Sequence, residues 1–238
     1  MKISLIIPIY NEEDMIQKTI NELKSFVKNE KDNWEILLIN DGSTDKTLDI
    51  LIKNKIKNFK IISYPLNKGK GFAIKKGVSE ATGDYICFID SDLAYSFDNL
   101  KNLLTKLNFF EIVIGSRDLE IDNHENISIF RRILGRGFGI LSNFILGYHI
   151  KDTQCGLKVF RGEVAKKLFS KQTINGFSFD TEILYLACKK NYRLTSEKAI
   201  VSKKHLAKNS KVNLLLDPFK MFRDLIKIRL NDLFGKYE

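Results

Sequence analysis

The feature that most limits what this chain can fold into is a repeated alternation. Short apolar, β-branched runs are each followed by a stretch with helical spacing. "ISLIIPI" (3–9), "WEILLIN" (34–40), "FKIISY" (59–64), "DYICFID" (84–90) and "EIVIG" (111–115) read as strands. They are apolar on both faces, as strands covered by helices on both sides must be. Between them, Ile16, Ile20, Leu23 and Val27 form one helical stripe, and Leu100, Leu103, Leu104 and Leu107 form another. "NKGKG" opens a further helix over about 72–79, and Ser43 or Thr44 is the expected cap of the helix after "DGSTD". Strands separated by helices imply right-handed crossovers and a mainly parallel, Rossmann-like sheet flanked by helices, an α/β fold.

In such a sheet, ligands bind at the carboxyl ends of the strands. The polar residues of this chain gather at those ends: Tyr10-Asn11-Glu12, Asn40-Asp41-Gly42, Asp90-Ser91-Asp92 and Ser116-Arg117. Asp90 and Asp92 have only Ser91 between them. Two carboxylates so close repel unless a cation lies between them, and hard oxygen donors at this spacing suit Mg²⁺ or Mn²⁺ completed by phosphate and water. Lys68 and Lys70 stand between glycines at a helix start, a place suited to phosphate. Asp41 can accept hydrogen bonds from a nucleobase or ribose.

The second half is organised differently. A polar loop (117–128) precedes a basic amphipathic helix, "IFRRILGRGFGILSNFILG" (129–147), with Arg131, Arg132 and Arg136 near its start. "DTQCGLKVF" (152–160) reads as a turn and short strand, "FDTEILYLACKK" (179–190) as a helix and "LTSEKAIV" (194–201) as a strand. The tail (212–234) is a helical pattern broken by Pro218. No repeat or linker divides the chain, so 1–238 is read as one domain, with a half of alternating strands and helices (1–117) and a half that carries the basic amphipathic helices (118–238).

Other classes are disfavoured. There is no Walker loop, no GxGxxG after the first strand and no CxxC pair. The three cysteines and three histidines are scattered, which points to a reduced, cytoplasmic setting. No run reaches the roughly 18 apolar residues of a membrane span, and the N-terminus reads as a strand rather than a leader. The net charge of +10 calls for an anionic partner. RNP, KH and helix-turn-helix patterns are missing, so nucleic acid is not that partner. A non-catalytic nucleotide- or RNA-binding protein is the alternative from another class.

The ordered set "PIYNE" (8–12), "NDGSTD" (40–45), "NKGKGFAIKKG" (67–77), "DSD" (90–92) and "GSR" (115–117) resembles the inverting family-2 glycosyltransferases of GT-A fold. "DTQCGLKVF", "FSFDTEILYLA" (177–187) and "NSKV" (209–212) are similar to its dolichyl-phosphate β-glucosyltransferase branch. The resemblance implies that Pro8, Tyr10, Glu12 and Asp41 hold the donor nucleoside. Asp90 and Asp92 match the metal motif around Ser91, and Lys70 lies on the donor side. Arg117 and Arg131, with Arg132, match acceptor-phosphate positions. Related mannose synthases carry an arginine where this chain has His205, a phosphate role that Lys203, Lys204 or Lys211 would take here, and Gln154 joins Asp152 in shaping the sugar pocket. Those synthases also have a third metal ligand where this chain has Ala94, and a serine where it has Gly135.

The implied reaction moves a sugar, glucose from UDP-glucose being favoured, onto a polyprenyl phosphate. The implied setting is the cytoplasmic face of a membrane, with the chain held peripherally. An integral-membrane partner or a second copy of the chain is left open. The alternative within the family is transfer to a sugar hydroxyl, which needs a carboxylate base; Asp180 and Glu182 are the candidates. Both also suit a helix N-terminus, where acidic side chains favour the dipole.

Overall fold

The computed structural model describes residues 1–54, 56–116, 129–148, 150, 152–199 and 216–238, the side chains of 129–136 excepted. Arg117 and Lys211, and the side chains of Arg131 and Arg132, lie outside the described residues.

Seven strands form one sheet in the order β3-β2-β1-β4-β6-β5-β7. These are β1 (Lys2–Ile9), β2 (Asn33–Asp41), β3 (Phe59–Tyr64), β4 (Tyr85–Phe88), β5 (Ile112–Ser116), β6 (Lys158–Arg161) and β7 (Leu194–Lys198). Six run the same way. β6 runs against both its neighbours, β4 and β5, and so joins β1 to β4 to the last two strands. The helices are α1 (Ile16–Asn29), α2 (Thr47–Lys53), α3 (Lys70–Glu80), α4 (Phe97–Lys106), α5 (Ile129–Leu146), α6 (Gly162–Ser170), α7 (Phe179–Lys189) and α8 (Asp217–Leu233).

Strand alternation divides the core in two. Leu5, Ile7, Ile36, Leu38 and Cys87 face α1, α2 and α4, while Ile6, Leu37, Ile39, Ile86 and Phe88 face α3, α6 and α7. Each fully buried Ile or Leu contributes roughly 1.5–3 kcal/mol, so the central strands alone fix the layer arrangement. α3 presses closely on the sheet because Gly77 has no Cβ to strike the Ile6 side chain. Phe88, Phe160, Phe169 and Phe179 pack with ring centroids 5.8–6.5 Å apart. Phe179 is the first residue of α7, so this aromatic cluster sets where Asp180 stands.

Three local expectations change. Ser43 and Thr44 do not cap α2; the Thr47 N–H donates to Asp45 Oδ1, and Ser43 Oγ accepts from the Asn11 N–H instead. Within the described part of the tail, from 216 on, Pro218 does not interrupt a helix but stands in the first turn of α8, where its missing N–H costs nothing; residues 212–215 lie outside the described residues. β4 ends at Phe88, so Asp90 and Asp92 lie in the turn beyond the strand.

Candidate active site

The site is built by loops that hold one another at the carboxyl edge. Asn11, in the left-handed region at φ 51°, donates its N–H to Ser43 Oγ (2.9 Å) and accepts from the Thr44 N–H at Oδ1 (2.8 Å). The Glu12 N–H donates to Thr47 Oγ1 (2.8 Å). The loops after β1 and β2 are thereby one unit, carrying Tyr10 and Glu12 just past Pro8 of β1.

Asp41 is 3% exposed. Its carboxylate accepts from Asn67 Nδ2 (2.9 Å) and from the N–H groups of Lys68 (2.8 Å) and Gly69 (2.9 Å). It therefore shapes the loop entering α3. Gly42 and Gly69, at φ 67° and 100°, allow that loop to close; a Cβ on Gly69 would lie 2.5 Å from Asn175 O. Lys68 leans over the Phe72 ring, 4.6 Å from its centroid.

Lys70 starts α3, and its Nζ lies 2.5 Å from Asp90 Oδ1. Burial draws the Lys70 ammonium down, yet Asp90 beside it, with Asp180 and Asp92, more than offsets this and holds it above the usual lysine range. The other Asp90 oxygen, Oδ2, fills the space where a Cβ on Gly156 would be. Ser91 is tied back to α1, its carbonyl accepting from Thr19 Oγ1 (2.8 Å) and its hydroxyl donating to Glu12 Oε1 (3.4 Å). Asp92 Oδ1 accepts from the Ala94 N–H (3.0 Å).

Behind this pair lies a second. Lys158 Nζ, on β6, is 2.7 Å from Asp180 Oδ1 and donates to Cys155 O (2.6 Å), with the Phe88 ring beneath it. Burial pushes the Asp180 carboxyl up, against the pull of Lys158 and Lys70. Glu182, one turn side away on α7, belongs to a different network. It accepts from Thr173 N–H and Oγ1, from the Ile174 N–H (2.8 Å) and from the Tyr237 hydroxyl (2.6 Å). The structure thus brings Asp90, Asp92, Lys70 and Asp180 together and leaves Glu182 pinning the 173–174 loop and the C-terminus. Gln154 Nε2 is buried with no hydrogen-bond partner among the described residues.

Lys158 and Gly156 were not singled out in the sequence. A lone lysine inside the apolar strand "LKVF" is a signal, since a cation there needs a buried partner. The donor set also suits a hard divalent cation. Asp90 and Asp92 stand on either side of Ser91 in the turn beyond β4, and among the described residues no group of three or more His, Cys, Asp or Glu side chains is placed to hold a metal ion. Mg²⁺ and Mn²⁺ accept one or two carboxylates when phosphate and water fill the rest.

Comparison with known proteins agrees with this architecture. The dolichyl-phosphate beta-glucosyltransferase of Saccharomyces cerevisiae is 34% identical over 99% of this chain and 76% of the yeast protein. The Dictyostelium discoideum protein of the same name is 32% identical over 98% of this chain and 75% of its own length. Among solved structures, Mycobacterium tuberculosis glucosyl-3-phosphoglycerate synthase bound to UDP matches with a TM-score of 0.68 at 19% identity, over 97% of this chain and 79% of that one. This places the fold among GT-A glycosyltransferases. The profile of glycosyl transferase family 2 matches residues 4–169. The chain belongs to glycosyl transferase family 2 and is a glycosyltransferase.

Proposed function

We propose that the protein transfers glucose from UDP-glucose to a polyprenyl phosphate, with inversion, at the cytoplasmic face of a membrane. The observation that carries this reading is the state of the two carboxylates on α7. Asp180 is ion-paired with Lys158, and Glu182 is consumed by the loop and C-terminal contacts. Both are buried and held by those partners, so neither side chain is free to reach an acceptor hydroxyl as a base would have to. A phosphate monoester is already anionic near neutral pH and needs no base. Its oxygen attacks the anomeric carbon opposite the diphosphate, the bond to the diphosphate breaks, and UDP leaves without a proton transfer. The names of the similar yeast and Dictyostelium proteins support the acceptor and the sugar, and the mycobacterial synthase has been crystallised with Mn²⁺ and UDP-glucose.

On this reading the donor nucleoside lies along Pro8, Tyr10, Glu12 and Asp41. Asp90 and Asp92 would hold Mg²⁺ or Mn²⁺, which supplies positive charge against the donor diphosphate. Arg117, Arg131, Arg132 and Lys211 would meet the acceptor phosphate, and Gln154, with its unpartnered amide, would face the sugar.

A membrane surface fits α8. Phe219, Phe222, Ile226, Leu230 and Leu233 are exposed at helical spacing, opposite Leu225 and Ile228, which are buried. Lys220, Arg223, Lys227 and Arg229 flank the stripe, and Phe144 of the adjoining α5 is 87% exposed. An apolar stripe edged with cations suits the headgroup region of an anionic bilayer. Among the described residues no helix is long and apolar enough to cross a membrane.

The test is incubation with Mn²⁺ or Mg²⁺, a short polyprenyl phosphate and a panel of UDP- and GDP-sugars, with mass spectrometry of the lipid. Glucosyl phosphoryl lipid from UDP-glucose is expected. No glycolipid from any donor overturns the reading.

A further inference from the structure

The metal motif is already occupied by a cation of the chain's own. Asp90 Oδ1 holds the Lys70 ammonium at 2.5 Å, and Oδ2 sits where a Cβ on Gly156 would be. Three carboxylates, Asp90, Asp92 and Asp180, act on Lys70, while Lys158 is engaged by Asp180 and the Cys155 carbonyl. With Lys70 in place the five side chains carry three negative and two positive charges. Without it, Lys158, which is held by Asp180, would be the one cation left in the group.

We propose that Lys70 is a resident counter-ion that a divalent cation must displace from Asp90, and that the displaced ammonium passes to the donor diphosphate. This rests on the reading of Asp90 and Asp92 as metal ligands and extends it to the order of binding. A divalent cation and an ammonium on the same carboxylate repel at short range, so one of them has to leave. Lys70 can leave because its ammonium is carried on a flexible four-carbon stem and because α3 begins at Lys70 itself. A diphosphate at that helix start lies within reach of the same side chain and meets the positive end of the helix dipole. The exchange keeps a cation on Asp90 at both stages and hands the displaced ammonium to another anion. Metal alone leaves the ammonium without an anion and so binds weakly, whereas metal and nucleotide together each satisfy what the other displaces. Occupancy by the metal is therefore coupled to occupancy by the diphosphate.

The coupling is measurable without turnover. Mn²⁺ binding to the full chain is followed by the loss of the free-ion electron paramagnetic resonance signal, with and without UDP. In the native protein UDP should tighten Mn²⁺ binding strongly. Lys70→Gln should bind Mn²⁺ on the order of tenfold tighter than the native protein when UDP is absent, since the competitor is gone. Its gain from UDP should be correspondingly smaller. Lys70→Arg, which keeps the charge, should bind Mn²⁺ in the absence of UDP no more tightly than the native protein; it also serves as the decisive variant should the glutamine form not fold, as judged by its thermal melt. A folded Lys70→Gln with unchanged or weaker Mn²⁺ binding in the absence of UDP overturns the exchange, as does tighter binding by Lys70→Arg. Native protein that binds no Mn²⁺ even with UDP overturns both the exchange and the metal reading. Coupled binding without any glycolipid product upholds the exchange and removes only the proposed acceptor.

Discussion

The Lys158 ammonium lies 2.7 Å from the Asp180 carboxylate, and the two side chains are 1% and 5% exposed. They come from β6 and α7, and they meet behind the loop that carries Asp90. An ion pair this deep is costly to assemble and far more costly to break on one side only.

Lys158→Met is accordingly expected to destabilise the protein by about 3–5 kcal/mol, because Asp180 is left charged and unpaired. The double variant Lys158→Met, Asp180→Leu should recover a large part of that loss. Denaturant unfolding of the two single variants and the double variant checks this. Equal destabilisation of the double variant and the sum of the single ones would mean that the two groups do not interact.

Gly156→Ala tests the seat of Asp90. A methyl group there overlaps Oδ2, so the carboxylate must turn away from its position. The expected outcome is a fall in turnover on the order of 10²-fold from misplacement of a site group. The thermal midpoint should change far less than for Lys158→Met.

Glu182 should weigh on stability rather than on turnover. Glu182→Gln loses acceptance from the Thr173 and Ile174 N–H groups and from Tyr237, so it should lower stability by roughly 1–3 kcal/mol. At a temperature where the variant is folded, its turnover should remain within a few-fold of native. A turnover loss of several orders of magnitude, with stability intact, would instead mark Glu182 as a base and favour a hydroxyl acceptor.

A pH effect is expected far from the site, at Glu35 on β2. Burial opposes its ionisation, but hydrogen bonds from Ser4 Oγ and from Thr82 N–H and Oγ1, with Lys2 nearby, hold its carboxyl below the usual glutamate range. A depressed carboxyl stabilises the fold above the unfolded value of 4.5 and loses that contribution as pH falls through the folded value. The stability gap between native protein and Glu35→Gln should therefore be widest above pH 4.5 and close as the pH falls further, as read by urea unfolding across that range.

The exposed stripe on α8 predicts a surface effect. Ile226→Glu together with Leu230→Glu should sharply reduce sedimentation with vesicles of anionic phospholipid. Stability should move little, because Leu225 and Ile228 do the packing on the other face. Binding that survives both substitutions would exclude this stripe as the contact.

The sheet was legible because β1, β2 and β4 are runs of Ile, Leu, Cys and Phe with no period of their own, which only a sheet covered on both faces accommodates. The direction of β6 was not legible. "LKVF" carries the apolar, β-branched content of a strand in either sense, and only its pairing with β4 and β5 decides. Pro218 was misread for a related reason, since a proline stops a helix or starts one depending on the turn it occupies. In the site, Asp90 and Asp92 stood out because their repulsion is local in sequence. The partners of Asp90 and Asp180 did not, because Lys70 and Lys158 reach them only through the packing of α3, β6 and α7. Asp41 was legible as an acid at a strand end, but nothing in the sequence signalled that Asn67, Lys68 and Gly69 would turn back onto its carboxylate.

The reversed strand β6 also has a consequence for the order in which the chain can assemble. β5 pairs with β6 on one side and β7 on the other, and both are made after it. During synthesis β5 therefore emerges with neither partner, while β1 to β4 already have one another. Until residue 158 leaves the ribosome, the growing chain holds two open strand edges, on β4 and on β5, that only β6 can close. A ribosome that stalls in the 117–157 interval would leave β1 to β4 with their partners made and β5 with nowhere to go, the sort of nascent chain that chaperones intercept.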